Sequence, residues 1–273
     1  SDISLPDYCP DIQRILKCQV YPCIQSRSLT ADRVEVEGVA TVKLLYLDSG
    51  KMSVRCCEHS EPFSCSFQMK QPAQNAVVYT QSKVEYINCR AVSPRKLDIH
   101  GAFSICAKVI GRVQQEVVSD IPGDGIQQKK KTVPASRVAS IAQQQFSVNE
   151  VLEIGQGKPE AEGIIRTDAV AVVHDCKAVA NKMILKGEAM VKVLYTGNLD
   201  AGELETMEYA VPVSQIVDAD GLSGDCLCDA RLEVLGCDVQ IRTDSAGEDT
   251  LLAVDLKMAA TIVPFEETEV QVV

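Results

Sequence analysis

Twelve cysteines in 273 residues are the side chains best able to do chemistry here, and three of them, Cys9, Cys18 and Cys23, fall in one stretch, LPDYCPDIQRILKCQVYPC (Leu5 to Cys23). Thiols ligate metals, act as nucleophiles, fill cores or join in disulfides. Structural zinc asks for paired C-x2-C ligands at two places. The chain offers instead the adjacent Cys56 and Cys57, one C-x-C (Cys226 and Cys228) and scattered singles. A cysteine nucleophile asks for a base and a group to orient it. The chain has three histidines, His59, His100 and His174, and only Cys57 with His59 and Cys176 with His174 are close in sequence; so near a spacing on a strand is a poor dyad. No G-x-S-x-G, phosphate loop or dinucleotide fingerprint occurs. No catalytic, cofactor or metal residue is therefore assigned, and a non-enzymatic role is expected.

The elements that position these thiols follow from an internal repeat. DRVEVEGVATVKLLYLDSG (Asp32 to Gly50) returns as NKMILKGEAMVKVLYTGNL (Asn181 to Leu199) at a constant offset of 149, which carries Gly38 onto Gly187, Lys43 onto Lys192 and Tyr46 onto Tyr195. Pro10 falls on Pro159 at the same offset, PFSCSF (Pro62 to Phe67) answers PVSQIV (Pro212 to Val217) at 150, and Cys89 meets Cys237 at 148. Both copies alternate with period two: Val34, Val36, Gly38, Ala40, Val42, Leu44 and Tyr46 share one face, as do Met183, Leu185, Gly187, Ala189, Val191, Val193 and Tyr195. A run so long needs a bend or bulge, placed at the shared glycine. A third alternation, Leu97 to Val109, matches Leu252 to Ile262, and polar turns separate the runs.

The pattern predicts an all-β chain of two tandem antiparallel β-sandwich-like or barrel-like domains, residues 1–118 and 131–273, joined by a linker at 119–130, with at most a short helix at PDIQRIL. Lys131 to Phe146 alternates well enough to open the second domain as a strand. Domain one has no equivalent, since Ser1 already aligns with Glu150. Either an N-terminal piece is missing from this chain or the first domain is a strand short, with an open edge.

Composition narrows the function. Aromatic residues make up 4% with no Trp, and the net charge of −11 argues against nucleic acid and anionic membranes as partners. No apolar run reaches membrane-spanning length and no signal peptide is visible. Charge is also uneven: residues 1–118 carry 14 Lys/Arg against 12 Asp/Glu, and 119–273 carry 13 against 26. Opposite ends of neighbouring copies would therefore attract. Cysteine density points to an oxidising final location.

The repeat also sorts the thiols. Seven stand opposite polar residues of the other copy: Cys9 (Lys158), Cys18 (Thr167), Cys56 (Thr206), Cys65 (Gln215), Cys106 (Thr261), Cys176 (Arg27) and Cys228 (Thr80). These are expected to face solvent and to supply disulfides to neighbouring subunits. Cys23, Cys57 and Cys226 match apolar residues, and Cys89 and Cys237 match each other, so these five are expected in the core or in bonds inside a domain. Local bonds, such as Cys18 with Cys23 or Cys56 or Cys57 with Cys65, are the competing reading. Cys56 and Cys57 should point to opposite faces of one strand.

At ISLPDYCPDIQRIL, followed by alternating strands and the GDGIQQKKKTVPASRV connection, the sequence resembles the SPOCS-domain family of SipL-like and CsxA-like clostridial spore-surface proteins, in two tandem copies. The signature is decayed in the second copy, LEIGQGKPEAEGII. The resemblance implies a non-catalytic role at the bacterial spore surface, in exosporium or coat. Two forms are open: a self-assembling lattice or filament hardened by disulfides, or an adaptor docked on a spore-coat morphogenetic protein. No peptidoglycan-binding tail follows, and cysteines abound. Both departures favour the self-assembling form, and the uneven charge favours a homo-oligomer built head to tail.

Overall fold

The computed structural model describes residues 2–30, 32–70, 76–111, 116–198, 203–219, 222 and 226–273. Strands dominate, and each follows the period-two alternation of its sequence. The first half contains β1 (Asp2–Ser4), β2 (Ile12–Leu29), β3 (Arg33–Asp48), β4 (Val54–Gln68), β5 (Val77–Ser93) and β6 (Lys96–Ile110). The second contains β7 (Lys131–Val138), β8 (Ala142–Glu153), β9 (Gly163–Val179), β10 (Lys182–Asn198), β11 (Glu203–Asp218), β12 (Leu227–Arg242) and β13 (Leu251–Val272). Sheets of order β2-β3-β4 and β1-β6-β5 face each other in the first half, and β9-β10-β11 faces β12-β13 with β7 and β8 in the second. All the pairing is antiparallel and stays within a half. The two copies are thus one β-sandwich type.

Equivalent residues do equivalent work. Tyr46 and Tyr195 are fully buried, and each hydroxyl donates to a proline carbonyl 36 residues upstream, Pro10 and Pro159, at 3.1 Å in both copies. Val191, Val193 and Tyr195 lie in the second core; Leu44 and Tyr46 are buried in the first, with Val42 packed against them. The repeated glycines sit where the neighbouring strand bulges. Register slips between Ile24 and Ser26 opposite Gly38, and between Lys186 and Gly187 against β9. A Cβ on Gly38 would lie 2.3 Å from the Cys23 carbonyl oxygen, and one on Gly187 would lie 2.3 Å from that of Val172.

The expected helix at PDIQRIL is a strand. Ile12, Ile15 and Cys18 recur every third residue, which imitates a helix face. The spacing arises because β2 carries bulges between Ile12 and Arg14 and between Ile15 and Lys17, each adding one residue to a two-residue step. All three residues belong to the first core.

The halves differ at one edge. In the second, β8 pairs with β13 from Glu153–Leu251 to Ala142–Ile262, and its Phe146, Val148 and Leu152 pack on the core. In the first, the corresponding strand is only β1, which pairs Asp2–Ser4 with Lys96–Asp98. Among the described residues, no strand pairs with β6 on the side away from β5 beyond that point. The second half also extends further: past Phe265, β13 leaves β12 behind and pairs with β7 alone, forming a two-stranded arm. Polar contacts join the halves, including Arg27 to Glu233 at 2.9 Å, the Lys43 ammonium to the Thr167 carbonyl at 2.9 Å, and the Arg231 guanidinium 4.9 Å from the Tyr79 ring centre.

Candidate functional site

Each sandwich has a seam where an edge strand of one sheet packs on an edge strand of the other without backbone pairing: β2 on β5, and β9 on β12. Side chains at these seams meet in a repeated pattern. On the first, the Cys18 thiol hydrogen-bonds to Cys89, and nine residues along each strand Arg27 donates to the Thr80 hydroxyl at 2.5 Å. On the second, Thr167 hydrogen-bonds to Cys237, and nine residues further Cys176 bonds to Cys228. Nine is odd, so on regular strands the two contacts would face opposite ways. One bulge per strand restores the phase: at Ile24–Ser26 in β2, Val84–Tyr86 in β5, beside Gly187 in β9, and Val234–Gly236 in β12. Four equivalent seam positions thus hold two Cys–Cys pairs, one Thr–Cys pair and one Arg–Thr pair.

A third thiol pair ties the loop before β2 to β4. Cys9 and Cys57 are 6% and 7% exposed, and the Cys57 thiol hydrogen-bonds to Cys9. In the second copy Lys158 takes the place of Cys9 and sends its ammonium to the Thr206 carbonyl at 2.6 Å, beside Met207, the counterpart of Cys57.

These contacts correct the expectation that seven cysteines face solvent. Cys106 alone of the seven is exposed; Cys9 is buried, and Cys18, Cys56, Cys65, Cys176 and Cys228 are half-buried. A polar counterpart did not signal exposure, because polar groups satisfied in pairs sit well at a seam: Arg27, 13% exposed at its side chain, is bonded to both Thr80 and Glu233. At Cys9 the counterpart is a lysine whose ammonium is satisfied by the Thr206 carbonyl and the Glu205 carboxylate. Of the five expected inside, Cys57 is buried and Cys23, Cys89, Cys226 and Cys237 are half-buried.

Electrostatics separates the thiols further. The hydrogen bond from Cys18 pulls the Cys89 thiol below its ordinary value; that bond, together with burial, pushes Cys18 well up. Burial first, then Cys9, pushes Cys57 up to about 12. Cys56 borders the cleft between the halves, as Cys9 and Cys57 also do, and there burial and then Glu58 push it up to about 11 against the pull of Lys43 and Arg166. Cys237 lines the same cleft. The Cys23 thiol donates to the Leu235 carbonyl at 3.2 Å across the halves. His174 is engaged with Glu188 at 3.3 Å and His59 with Glu61 at 3.2 Å, both apart from the thiol pairs. Among the described residues no three His, Cys, Asp or Glu side chains converge as a metal set would.

The open edge has its own geometry. Between β6 and β4, where β8 closes the second half against β11, the first half has a cavity of about 230 Å³. Val20, Val42, Ile87, Ile99 and Phe103 form its apolar walls, with His59 and Glu61 at its rim. Cys106 lies on the outer side of the same strand that bounds it. The seams were hidden in the sequence, because bulges cannot be placed from alternation alone.

No curated protein and no solved structure matches the chain. Comparison with protein families matches the SipL SPOCS domain twice, over residues 11–92 and 160–242. These stretches are the two repeat copies and span more than half of the chain. They include both seams and both buried tyrosines. The chain therefore belongs to the SipL SPOCS-domain family, as two tandem copies, and with it to the spore-associated proteins.

Proposed function

We propose that this protein is a non-catalytic structural component of the spore surface, in exosporium or coat, that assembles head to tail with its own copies and is then fixed by disulfides. The observation that carries this reading is the division of charge between two copies of one domain type, weakly basic over residues 1–118 and strongly acidic over 119–273. Beyond Asp98 the side of β6 away from β5 has no partner strand among the described residues, and an apolar slot lies behind it. An unpaired edge is a template for another strand, whose backbone satisfies its N–H and C=O groups while alternate side chains enter the slot.

A second copy fits this edge. Its β7–β13 arm runs past the sheet, carries exposed Glu267 and Glu269, and has Val270 and Val272 half-buried at strand spacing. The acidic second half complements the weakly basic first half and repels its own kind, so register and partner are selected by charge. A head-to-tail contact propagates into a ring, filament or sheet according to the rotation per subunit. Cys106 is the thiol best placed to lock such a contact, with half-buried Cys65 and Cys56 behind it.

The test compares gel mobility of the purified chain with and without reductant after assembly and oxidation. Reductant-sensitive ladders or material too large to enter the gel support the reading. A compact monomer under both conditions supports the adaptor role, in which the same edge takes a strand of a coat morphogenetic protein.

A further inference from the structure

We propose that oxidation closes three disulfides within each chain, Cys9–Cys57, Cys18–Cys89 and Cys176–Cys228, so that half of the twelve cysteines staple the sandwiches and are unavailable to neighbours. The inference stands on thiol geometry and does not depend on the assembly reading. The members of each pair act directly on one another's thiols, and the Cys228 thiol reaches the Cys176 carbonyl at 3.4 Å. They also lie in the two cores: Cys9, Cys57, Cys18 and Cys89 around the first, Cys176 and Cys228 around the second. Sulfurs turned inward and toward each other reach one another before they reach any other molecule.

The repeat supplies an independent check. Positions 27 and 80 of the first half, equivalent to Cys176 and Cys228, hold Arg and Thr that bond directly to each other. Positions 167 and 237, equivalent to Cys18 and Cys89, hold a Thr and a Cys in contact. Contact at all four seam positions, whatever the residue types, shows that the backbone brings these sites together and that the thiol pairs are no accident of side-chain placement.

The chemistry is thiol–disulfide exchange with a low-molecular-weight disulfide as oxidant. In the Cys18–Cys89 pair the Cys89 thiolate, stabilised by the Cys18 S–H, attacks one sulfur of the small disulfide and expels a thiolate. Cys18 then loses its proton and attacks the Cys89 sulfur of the mixed disulfide, expelling the second. One S–S bond is broken and one formed; two electrons pass from the protein thiols to the small disulfide, and the two protons end on the two released thiols.

To test this, reduced full-length chain is oxidised with oxidised glutathione at low protein concentration, as a mixture of isotopically light and heavy chains. Remaining thiols are alkylated and the digest is read without reduction. The expected result is three dominant linked peptides, Cys9–Cys57, Cys18–Cys89 and Cys176–Cys228, each joining two light or two heavy halves and never one of each. In the Thr167→Cys variant a fourth link, from position 167 to Cys237, should appear. The proposal is overturned if these six cysteines are alkylated while Cys106 is oxidised, if they link in other combinations or between light and heavy chains, or if the folded Thr167→Cys variant leaves Cys237 unlinked.

Discussion

Gly38 and Gly187 have no room for a side chain, since an added Cβ would lie 2.3 Å from a backbone carbonyl oxygen that cannot retreat without opening the sheet. Gly38→Ala and Gly187→Ala should each cost about 1–3 kcal/mol, as overpacking does in closed cores. Thermal unfolding measures it, and a variant as stable as the parent would contradict the close approach. Tyr46→Phe and Tyr195→Phe leave the Pro10 and Pro159 carbonyls without their buried donor, so each should lose about 1–3 kcal/mol. Equal losses in both are expected because the contacts are equivalent. All four residues were legible in the sequence, being echoed at a constant offset. The thiol pairs were not: comparing copies tells which residue types a site tolerates, and Arg27 and Thr167 are tolerated at the seams because each finds a polar partner there.

Among the elements, the β3–β4 turn shows how a charged group is built into an end of the sandwich. The Asp48 carboxylate is buried and accepts from the Gly50 and Lys51 backbone N–H groups and from Arg55 Nε at 3.0 Å. Burial pushes its pKa up, but the Lys51 N–H and Arg55 outweigh it, and the carboxyl titrates below its ordinary value. A depressed acid stabilises the fold above its unfolded pKa of about 3.9 and loses that contribution as pH falls through the folded value. Asp48→Asn should therefore cost about 1–3 kcal/mol near neutrality, and the gap from the parent should close below about pH 4. Melting curves across that range check it, and a gap independent of pH would refute the assignment. Strand alternation made the element types legible along most of the chain. It failed at β2, where bulges between Ile12 and Arg14 and between Ile15 and Lys17 stretch the period to three, because a bulge leaves no mark in residue type unless a glycine stands opposite.

Across the whole molecule, the division of charge and the division of edges point to the same arrangement. The half with the apolar slot beside β6 is weakly basic, and the half with the projecting arm is strongly acidic. Before oxidation, assembly should weaken as salt rises from about 0.05 to 1 M, since exposed charges are screened over a few ångströms at the upper end. After oxidation it should be indifferent to salt. Light scattering under the two conditions follows both phases. Cys106→Ser should keep the salt-sensitive association and lose most of the reductant-sensitive ladder, because Cys106 is the exposed thiol of the open-edge strand. The charge division was readable directly from the sequence. The apolar slot of about 230 Å³ was not, since it is built from β1, β2, β3, β4, β5 and β6 together.

The claim that copies join through the open edge of the first half is tested most directly by electron cryomicroscopy of assemblies grown from the purified full chain. The predicted density shows a strand of the next subunit's second half continuing the sheet at β6 beyond Asp98, alongside Ile99 to Ile110, with its side chains entering the slot between β6 and β4. Assemblies held together only by two-fold contacts between like halves, with β6 bare in every subunit, would contradict it.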